Sequence, residues 1–238
     1  MNKTRHNSLV RAAVAAGAVG AGAAAYALLE YPPCASLGAT CDEREAALPG
    51  DELIPDGLQS TRVITIQAAP AAIWPWLVQM GQNRGGFYSH DWLERLFGAE
   101  IRNANRIHAE WQTLSVGDTI WPYPERKLRA MAKGSSDIGG WRVASIDVER
   151  SLVVRSNAGR WTWALVLRPT DGGGTRLFAR TRFAKPEHAL SRALDALFGQ
   201  PAHLVMELGV LRGIKSRAEA NAIANSAQAA DPSACRLR

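Results

Sequence analysis

Residues 161–183 read WTWALVLRPTDGGGTRLFARTRF, and this stretch decides the fold. Two apolar-rich runs flank Asp-Gly-Gly-Gly at 171–174, the clearest turn signal in the chain. The pattern predicts two strands, Trp161–Arg168 and Arg176–Phe183, joined as an antiparallel hairpin. Because strand side chains alternate between faces, Trp161 and Trp163 are expected on the same face of the sheet.

The same alternation of short strands and turns extends upstream from this hairpin to about Gly117. It predicts four more strands in one antiparallel meander: Asp118–Tyr123, Leu128–Lys133, Trp141–Asp147 and Ser151–Ser156. Before the meander, the pattern predicts a strand over 61–67, a helix from Pro70 to Gly81, and a short helix over 91–97. After it, helical spacing returns at 186–198 and, beyond Gly199-Gln200-Pro201, at 202–224. The predicted order is strand, two helices, a run of strands and a long C-terminal helix.

Four stretches are distinctive within this order of elements. They are DELIP at 51–55, IWPWLVQMG at 73–81, RGGFYS at 84–89 followed by DWL at 91–93, and VME at 205–207 followed by LRGI at 211–214. With the element order, they resemble the polyketide cyclase/dehydrase and lipid-transfer superfamily, also called SRPBCC or START-like, over about residues 51–224. The resemblance implies an α+β helix-grip fold, in which a curved antiparallel sheet wraps around a long C-terminal helix. Family members mostly bind hydrophobic ligands, and some catalyse aromatic ring closure or dehydration. The resemblance therefore implies a pocket more than a particular reaction.

Length and composition exclude several classes of protein. The chain has 238 residues, enough for one sizeable core with tails, and its eight tryptophans argue against a wholly disordered chain. Three cysteines are too few for a disulfide scaffold. The basic residues are mostly arginine and form no block of consecutive positive charge, so we expect no nucleic-acid partner.

The net charge of +6 is distributed unevenly along the chain. Residues 1–11 carry +3, residues 12–58 carry −6 and residues 59–230 carry +8. Residues 12–29 are uncharged, and the positive flank before them predicts an N-terminus in the cytoplasm, with everything downstream outside. A single-pass transmembrane helix is favoured for this segment, because the apolar run exceeds the usual length in a signal peptide. The alternative is a cleaved signal peptide and a secreted protein.

These changes in charge and composition along the chain predict five segments. They are a basic cytoplasmic flank (1–11), a membrane helix or signal peptide (12–29), an acidic Pro-rich linker (30–58), a helix-grip ligand-binding domain (59–224) and a disordered tail (225–238). In the linker, Cys34 and Cys41 either close a disulfide loop or are unpaired. An acidic linker next to a basic domain is expected to lie back against it, an association that salt should loosen.

Acid–base candidates surround the Gly-rich turn at 85–86. Tyr88 and His90 can exchange protons, Asp91 can orient His90, and Arg84 can meet an anionic group. A purely structural interpretation of these residues is preferred, with Asp91 complementing a helix dipole.

Aromatic residues are the other candidates for the lining of a ligand site. They are Trp92, Trp111, Trp121, Tyr123, Trp161 and Trp163. Residues 176, 178, 180 and 182 share one strand face, which we expect to be a solvated basic surface. A sharper alternative is that this face attracts anionic lipid head groups. No spacing of Cys and His predicts a metal site, and no motif predicts a cofactor.

The leading hypothesis is a membrane-anchored, extracytoplasmic protein that binds a hydrophobic small molecule or lipid without a chemical step. One alternative is a cyclase or dehydrase acting on an aromatic or polyketide-like substrate, with His90, Tyr88 and Asp91 as acid–base groups. Another is an interaction module that docks its basic face on anionic lipid.

Overall fold

The computed structural model of the chain describes residues 36–89, 102–131, 139–185, 188 and 200–230. Within these ranges, the side chains of 125, 131, 200–202 and 225–230 are left out of the description. Several predicted segments lie outside the described residues: the membrane segment 12–29, Cys34, the helix over 91–97, most of the helix over 186–198, and the end of the tail at 231–238. Within the described part of the chain, no helix is long and apolar enough to cross a membrane.

A six-stranded antiparallel sheet forms the centre of the fold. Its strands are β1 (Leu58–Ile66), β2 (Thr119–Ile120), β3 (Trp141–Asp147), β4 (Ser151–Ser156), β5 (Trp161–Pro169) and β6 (Thr175–Phe183). Strands β2 to β6 follow one another as a meander, and β1 closes the order by pairing with β6. The predicted hairpin around the Gly-rich turn is confirmed, and so are five of the six strands of the predicted meander.

In the described part of the chain, four α-helices accompany the sheet: α1 (Cys41–Glu45), α2 (Pro70–Val78), α3 (Glu125–Met131) and α4 (Gln200–Ala230). Pro70 occupies the first turn of α2, where its missing N–H leaves no intrahelical bond unmade. Helix α4 packs against α2 and β1 on the inner face of the sheet. This sheet with its long C-terminal helix is the α+β arrangement that the helix-grip prediction requires.

One strand prediction is wrong. The predicted strand Leu128–Lys133 begins inside α3, because residues 125–131 are strong helix formers that follow Pro124. The backbone N–H groups of Lys127 and Leu128 both donate to the Pro124 carbonyl, at 2.8 and 3.2 Å, which starts the helical turn. Among the described side chains of this helix, Leu128 is the buried one.

The main hydrophobic core lies between the inner face of the sheet and helices α2 and α4. Ile66, Leu165 and Leu177 reach it from the sheet, while Trp76 and Leu211 reach it from the two helices. All five are at most 2% exposed. A close approach in this core depends on Gly213 of α4, since a Cβ there would lie only 2.0 Å from the carbonyl oxygen of Tyr88.

Residues 36–57, which we call the strap, cover the outer face of the sheet. The strap contributes Leu48 to a second apolar cluster with Val63, Val153 and Phe178. A capping box between Thr40 and Glu43 caps the N-terminus of its helix α1. The described part of the predicted linker is therefore packed on the sheet.

The predicted solvated basic surface on β6 is wrong, because the strap covers it. Arg180 is 2% exposed, and Phe178 beside it is 1% exposed. Carboxylates of the strap neutralise the arginines: Glu43 pairs with Arg176, and Asp51 pairs with both Arg180 and Arg182. The expectation that the acidic segment lies back against the basic domain is confirmed.

Candidate functional site

Two tryptophans of β5 lie side by side on the inner face of the sheet, as their spacing predicts. Trp163 belongs to the main core and is 5% exposed, while Trp161 is half-buried at its edge. Trp161 lies opposite Phe183 of β6. The register therefore places aromatic side chains next to one another across two strands.

An aromatic box forms around Trp161 from side chains that are far apart in sequence. We define it as Trp141, Trp161, Phe183 and His203. The ring of Trp161 meets that of Trp141 edge-on, with centroids 4.8 Å apart, and stacks parallel to Phe183 at 5.8 Å. His203 of α4 meets Trp161 and Phe183 edge-on at 5.7 and 5.4 Å. The box thus joins strands β3, β5 and β6 to the C-terminal helix.

Next to the box, the inner face encloses a narrow apolar space. Its lining is Met80, Phe87, Ile120, Trp141, Leu152, Val154, Trp163 and Leu165. No charged side chain lines it, and no water-sized sphere fits inside it. Since ligand pockets usually measure about 300–1,000 Å³, a ligand must push these side chains apart to enter.

Two hydrogen-bond donors are left unsatisfied at this place. The indole Nε1 atoms of Trp161 and Trp163 are buried, and neither has a hydrogen-bond partner within the described structure. A buried donor without an acceptor costs about 1–3 kcal/mol, and folded proteins contain few of them. Two on successive inward positions of one strand indicate a place where an acceptor from outside the protein can be received.

A buried charged array lies behind the box. Glu207 of α4 is 2% exposed and pairs with Arg62 of β1, which is fully buried. The Thr181 hydroxyl donates to the other Glu207 oxygen at 3.1 Å and lies 3.2 Å from Nε2 of His203. The array ties α4 to β1 and β6, because removing either charge would leave its partner buried and unpaired.

Tyr88 is packed into the core beside α4. Its hydroxyl donates to the Trp76 carbonyl at 3.0 Å, and the guanidinium of Arg217 lies 4.9 Å from its ring centre. Burial raises the pKa of Tyr88 well above its ordinary value. Its φ of 62° places the backbone in the left-handed region, where the Asn103 side chain accepts its N–H. Among the described contacts, Tyr88 serves as a packing and anchoring residue.

Arg84 and Trp111 lie together on a different part of the molecule. The Arg84 guanidinium donates to the Trp111 carbonyl, and Trp111 stacks on His108 with centroids 4.1 Å apart. Burial lowers the pKa of Arg84. Gln79 links this region to the end of α2, since its side-chain oxygen accepts from the His108 N–H at 3.1 Å. The Arg84 guanidinium is therefore engaged with backbone.

The other predicted site residues are dispersed. Trp121 is half-buried near β2, where Gly140 lets β3 pass close to its ring. Tyr123 packs at the edge of the main core, with the Lys127 ammonium 4.9 Å from its ring centre. His90, Asp91 and Trp92 lie outside the described residues. Of the predicted set, the structure brings Trp161 and Trp163 together on the inner face, where Trp163 lines the enclosed space, and places Arg84 beside Trp111.

Sequence reasoning missed four residues of this site: Trp141, Phe183, His203 and Glu207. Trp141 opens β3 and Phe183 ends β6, so each follows the inward alternation of its strand. His203 and Glu207 are one helical turn apart on α4, a spacing that places them on one face. Strand alternation and helical spacing can both be read from the sequence. The strand register and helix docking that bring the four residues together depend on the tertiary structure.

Comparison with known proteins gives likeness in structure alone. No family model matches the chain, and no curated protein matches it. The solved structure of the KanY protein (ms6282) is 11% identical, covers 68% of this chain and 98% of its own, and gives a TM-score of 0.43. The Polyketide_cyc-like protein Cgl2372 from Corynebacterium glutamicum is 16% identical, with 70% and 90% covered and a TM-score of 0.32. Protein Ms6760 from Mycobacterium smegmatis is 17% identical, with 71% and 94% covered and a TM-score of 0.35.

The chain's own strand order and C-terminal helix agree with the SRPBCC-type fold that its sequence motifs indicate.

Proposed function

We propose that this helix-grip domain binds a hydrophobic small molecule between the inner face of its sheet and helix α4, without a chemical step. The observation that carries the proposal is the pair of unsatisfied indole N–H groups of Trp161 and Trp163 beside an enclosed apolar space. A protein that needed this region only as core would gain from replacing such donors by apolar atoms.

The lining defines the chemical class of the ligand. Aliphatic and aromatic side chains favour an apolar body, and no lining side chain carries a charge. Two indole donors favour a ligand with an uncharged acceptor, such as a carbonyl or ether oxygen, placed toward β5. The edge-on contacts of the box suit a flat aromatic ring as well as a branched aliphatic group.

The acid–base alternative has weaker support. A cyclase or dehydrase that uses Tyr88 as proton donor needs its hydroxyl near the substrate. That hydroxyl is bound to the Trp76 carbonyl, and burial raises its pKa. The roles of His90 and Asp91 stay a prediction.

We further propose that residues 12–29 anchor the domain to a membrane, with the domain on the extracytoplasmic side. Leu37, whose carbonyl accepts from the Val63 N–H at 2.9 Å, lies eight residues after the uncharged segment ends at residue 29. A strap packed on the sheet would hold the domain close to the bilayer. Cell fractionation with N-terminal sequencing of the mature protein tests this proposal, because a chain that begins after residue 29 and leaves the membrane fraction would contradict it.

Ligand binding is tested on the full chain in a non-ionic detergent, with the neutral carbonyl-bearing dye Prodan as probe. Excitation of tryptophan should produce energy transfer to dye bound beside Trp163 and Trp141. Dimethylaminonaphthalene, which lacks the carbonyl, is the matched probe. Extraction of the purified protein with organic solvent, followed by mass spectrometry, would identify the natural ligand.

Trp163→Phe removes one donor and keeps an aromatic ring. It should weaken Prodan binding about two- to tenfold, the contribution of one net hydrogen bond, and leave the carbonyl-free dye unchanged. Trp111→Phe is the control, because Trp111 does not line the enclosed space. Equal losses in the two variants, or no saturable binding of either dye, would reject the proposed site.

A further inference from the structure

A basic groove lies on the outer face of the sheet, on the side opposite the enclosed apolar space. It measures about 410 Å³ and lies over β3 and β4, where Leu53 of the strap forms one wall. Ala144 and Ala158 add apolar surface, and Arg142 and Arg155 add two guanidinium groups. The groove therefore combines positive charge with an apolar flank.

The two arginines are held next to each other by the sheet. Arg142 of β3 and Arg155 of β4 are direct partners in the antiparallel register, and both are exposed. Like charges that lie opposite each other across two strands destabilise the pair. An anion bound between the two guanidinium groups would remove that repulsion.

The charge environment of this pair differs from that of the three arginines of β6 on the same face. Arg176, Arg180 and Arg182 are each within 4.0 Å of a strap carboxylate. Neither Arg142 nor Arg155 has a carboxylate that close within the described residues. The strap thus neutralises the three arginines of β6, whereas no carboxylate of the described residues lies within 4.0 Å of the two arginines in the groove.

The groove is also partly preorganised. The Gly159 carbonyl accepts from Nε and Nη2 of Arg155 at 3.3 and 3.2 Å, which fixes the plane of that guanidinium. Gly159 has a φ of 71° and lies against the guanidinium, where a Cβ would come within 3.0 Å of Nη2. A fixed guanidinium loses little conformational freedom when it binds an oxyanion.

We infer that this groove binds the phosphate of an anionic phospholipid head group. Two guanidinium forks match phosphate oxygens, and the flank of Leu53 and alanines accommodates the glycerol and the first acyl carbons. Lipid is the favoured source of the phosphate because of this apolar flank and because the proposed anchor would place the strap beside a bilayer. The site is separate from the interior ligand site and does not depend on it.

Calorimetry of the full chain in a non-ionic detergent tests the inference. The ligand is dihexanoylphosphatidylglycerol, and the comparison ligands are the phosphatidylcholine with the same chains and inorganic phosphate. We expect saturable binding of dihexanoylphosphatidylglycerol and markedly weaker binding of the phosphatidylcholine and of inorganic phosphate. Equal binding of the phosphatidylcholine would overturn the role of net negative charge, and equally tight binding of phosphate would overturn the lipid source.

The double variant R142Q/R155Q should weaken binding at least about tenfold, since a hydrogen bond to a charged group contributes more than a neutral one. The double variant R150Q/R212Q removes the same charge from exposed arginines outside the groove and should stay within about twofold of the wild type. Equal weakening in both doubles would mean that only net charge matters and would overturn the site. Thermal midpoints near the wild-type value would show that both doubles are folded, and the single variant R142Q serves if the double does not fold.

Discussion

Replacing Arg180 by methionine removes the residue that fastens the strap to the sheet. All five N–H donors of its guanidinium are engaged. Nε donates to Thr61, and the two terminal nitrogens donate to Asp51 and to the backbone carbonyls of residues 43, 44 and 46, at 2.6 to 3.1 Å. Methionine keeps an apolar stem of similar reach and supplies none of these donors.

The magnitude follows from the burial of the pair. Arg180 is 2% exposed and the Asp51 side chain is 20% exposed, so water can replace the lost donors only if the strap moves. Breaking a buried ion pair by removing one partner costs about 3–5 kcal/mol. Because strap release limits the cost, we expect about 3 kcal/mol of lost unfolding free energy. Arg180→Lys should lose less, since an ammonium keeps the charge but has only three donors.

Urea unfolding of the full chain, followed by tryptophan fluorescence, measures the free energy. Amide hydrogen exchange then locates the loss, which should be greater in the strap than in β5. Arg150→Met is the matched control. Its side chain is 79% exposed and pairs only weakly, with Asp147 at 3.8 Å, so its effect should stay below about 0.5 kcal/mol.

Two results would refute this reasoning. One is a loss below about 1 kcal/mol for Arg180→Met, which would mean that the other strap contacts, such as Leu48 and the Glu43–Arg176 pair, hold the strap without it. The other is uniform deprotection of strap and β5, which would mean that the strap has no separate opening.

Three further predictions concern the core and pH. Gly213→Ala should destabilise the protein by at least about 1–3 kcal/mol in thermal unfolding, because its Cβ would collide with Tyr88, whereas Gly172→Ala, with nothing within 4 Å, should have little effect. The raised pKa of Tyr88 means that its neutral form stabilises the fold below pH about 10 and that the free energy of unfolding falls above that pH. In urea titrations, Tyr88→Phe should remove the part of this alkaline loss of stability that Tyr88 causes. The Arg176 guanidinium lowers the pKa of Glu43, so this pair stabilises the strap above pH about 4 and loses its effect as pH falls further; strap amide exchange should then quicken, and Glu43→Gln should show no such acid dependence.

Much of the fold could be predicted because local signals agreed with each other. The Gly-rich turn at 171–174, the alternation in β5 and the apolar stripe of α4 each specify one element. The exception was α3, where a short run of apolar residues among good helix formers was mistaken for a strand. The inward direction of Trp161 and Trp163 could be predicted because it follows from a period of two, while their role in ligand binding stays a prediction.

The sequence by itself determined the order of elements, the inward direction of the two tryptophans, and the opposite charges of the strap and β6. These follow from backbone periodicity and from the sign of charge, which need no tertiary information. Only the tertiary structure decided that Trp141, Phe183 and His203 surround Trp161, because strand register and helix docking bring them together over more than sixty residues. It also decided which arginines are neutralised. Asp51 of the strap pairs with Arg180 of β6, while Arg142 and Arg155 lie beyond the reach of any described carboxylate.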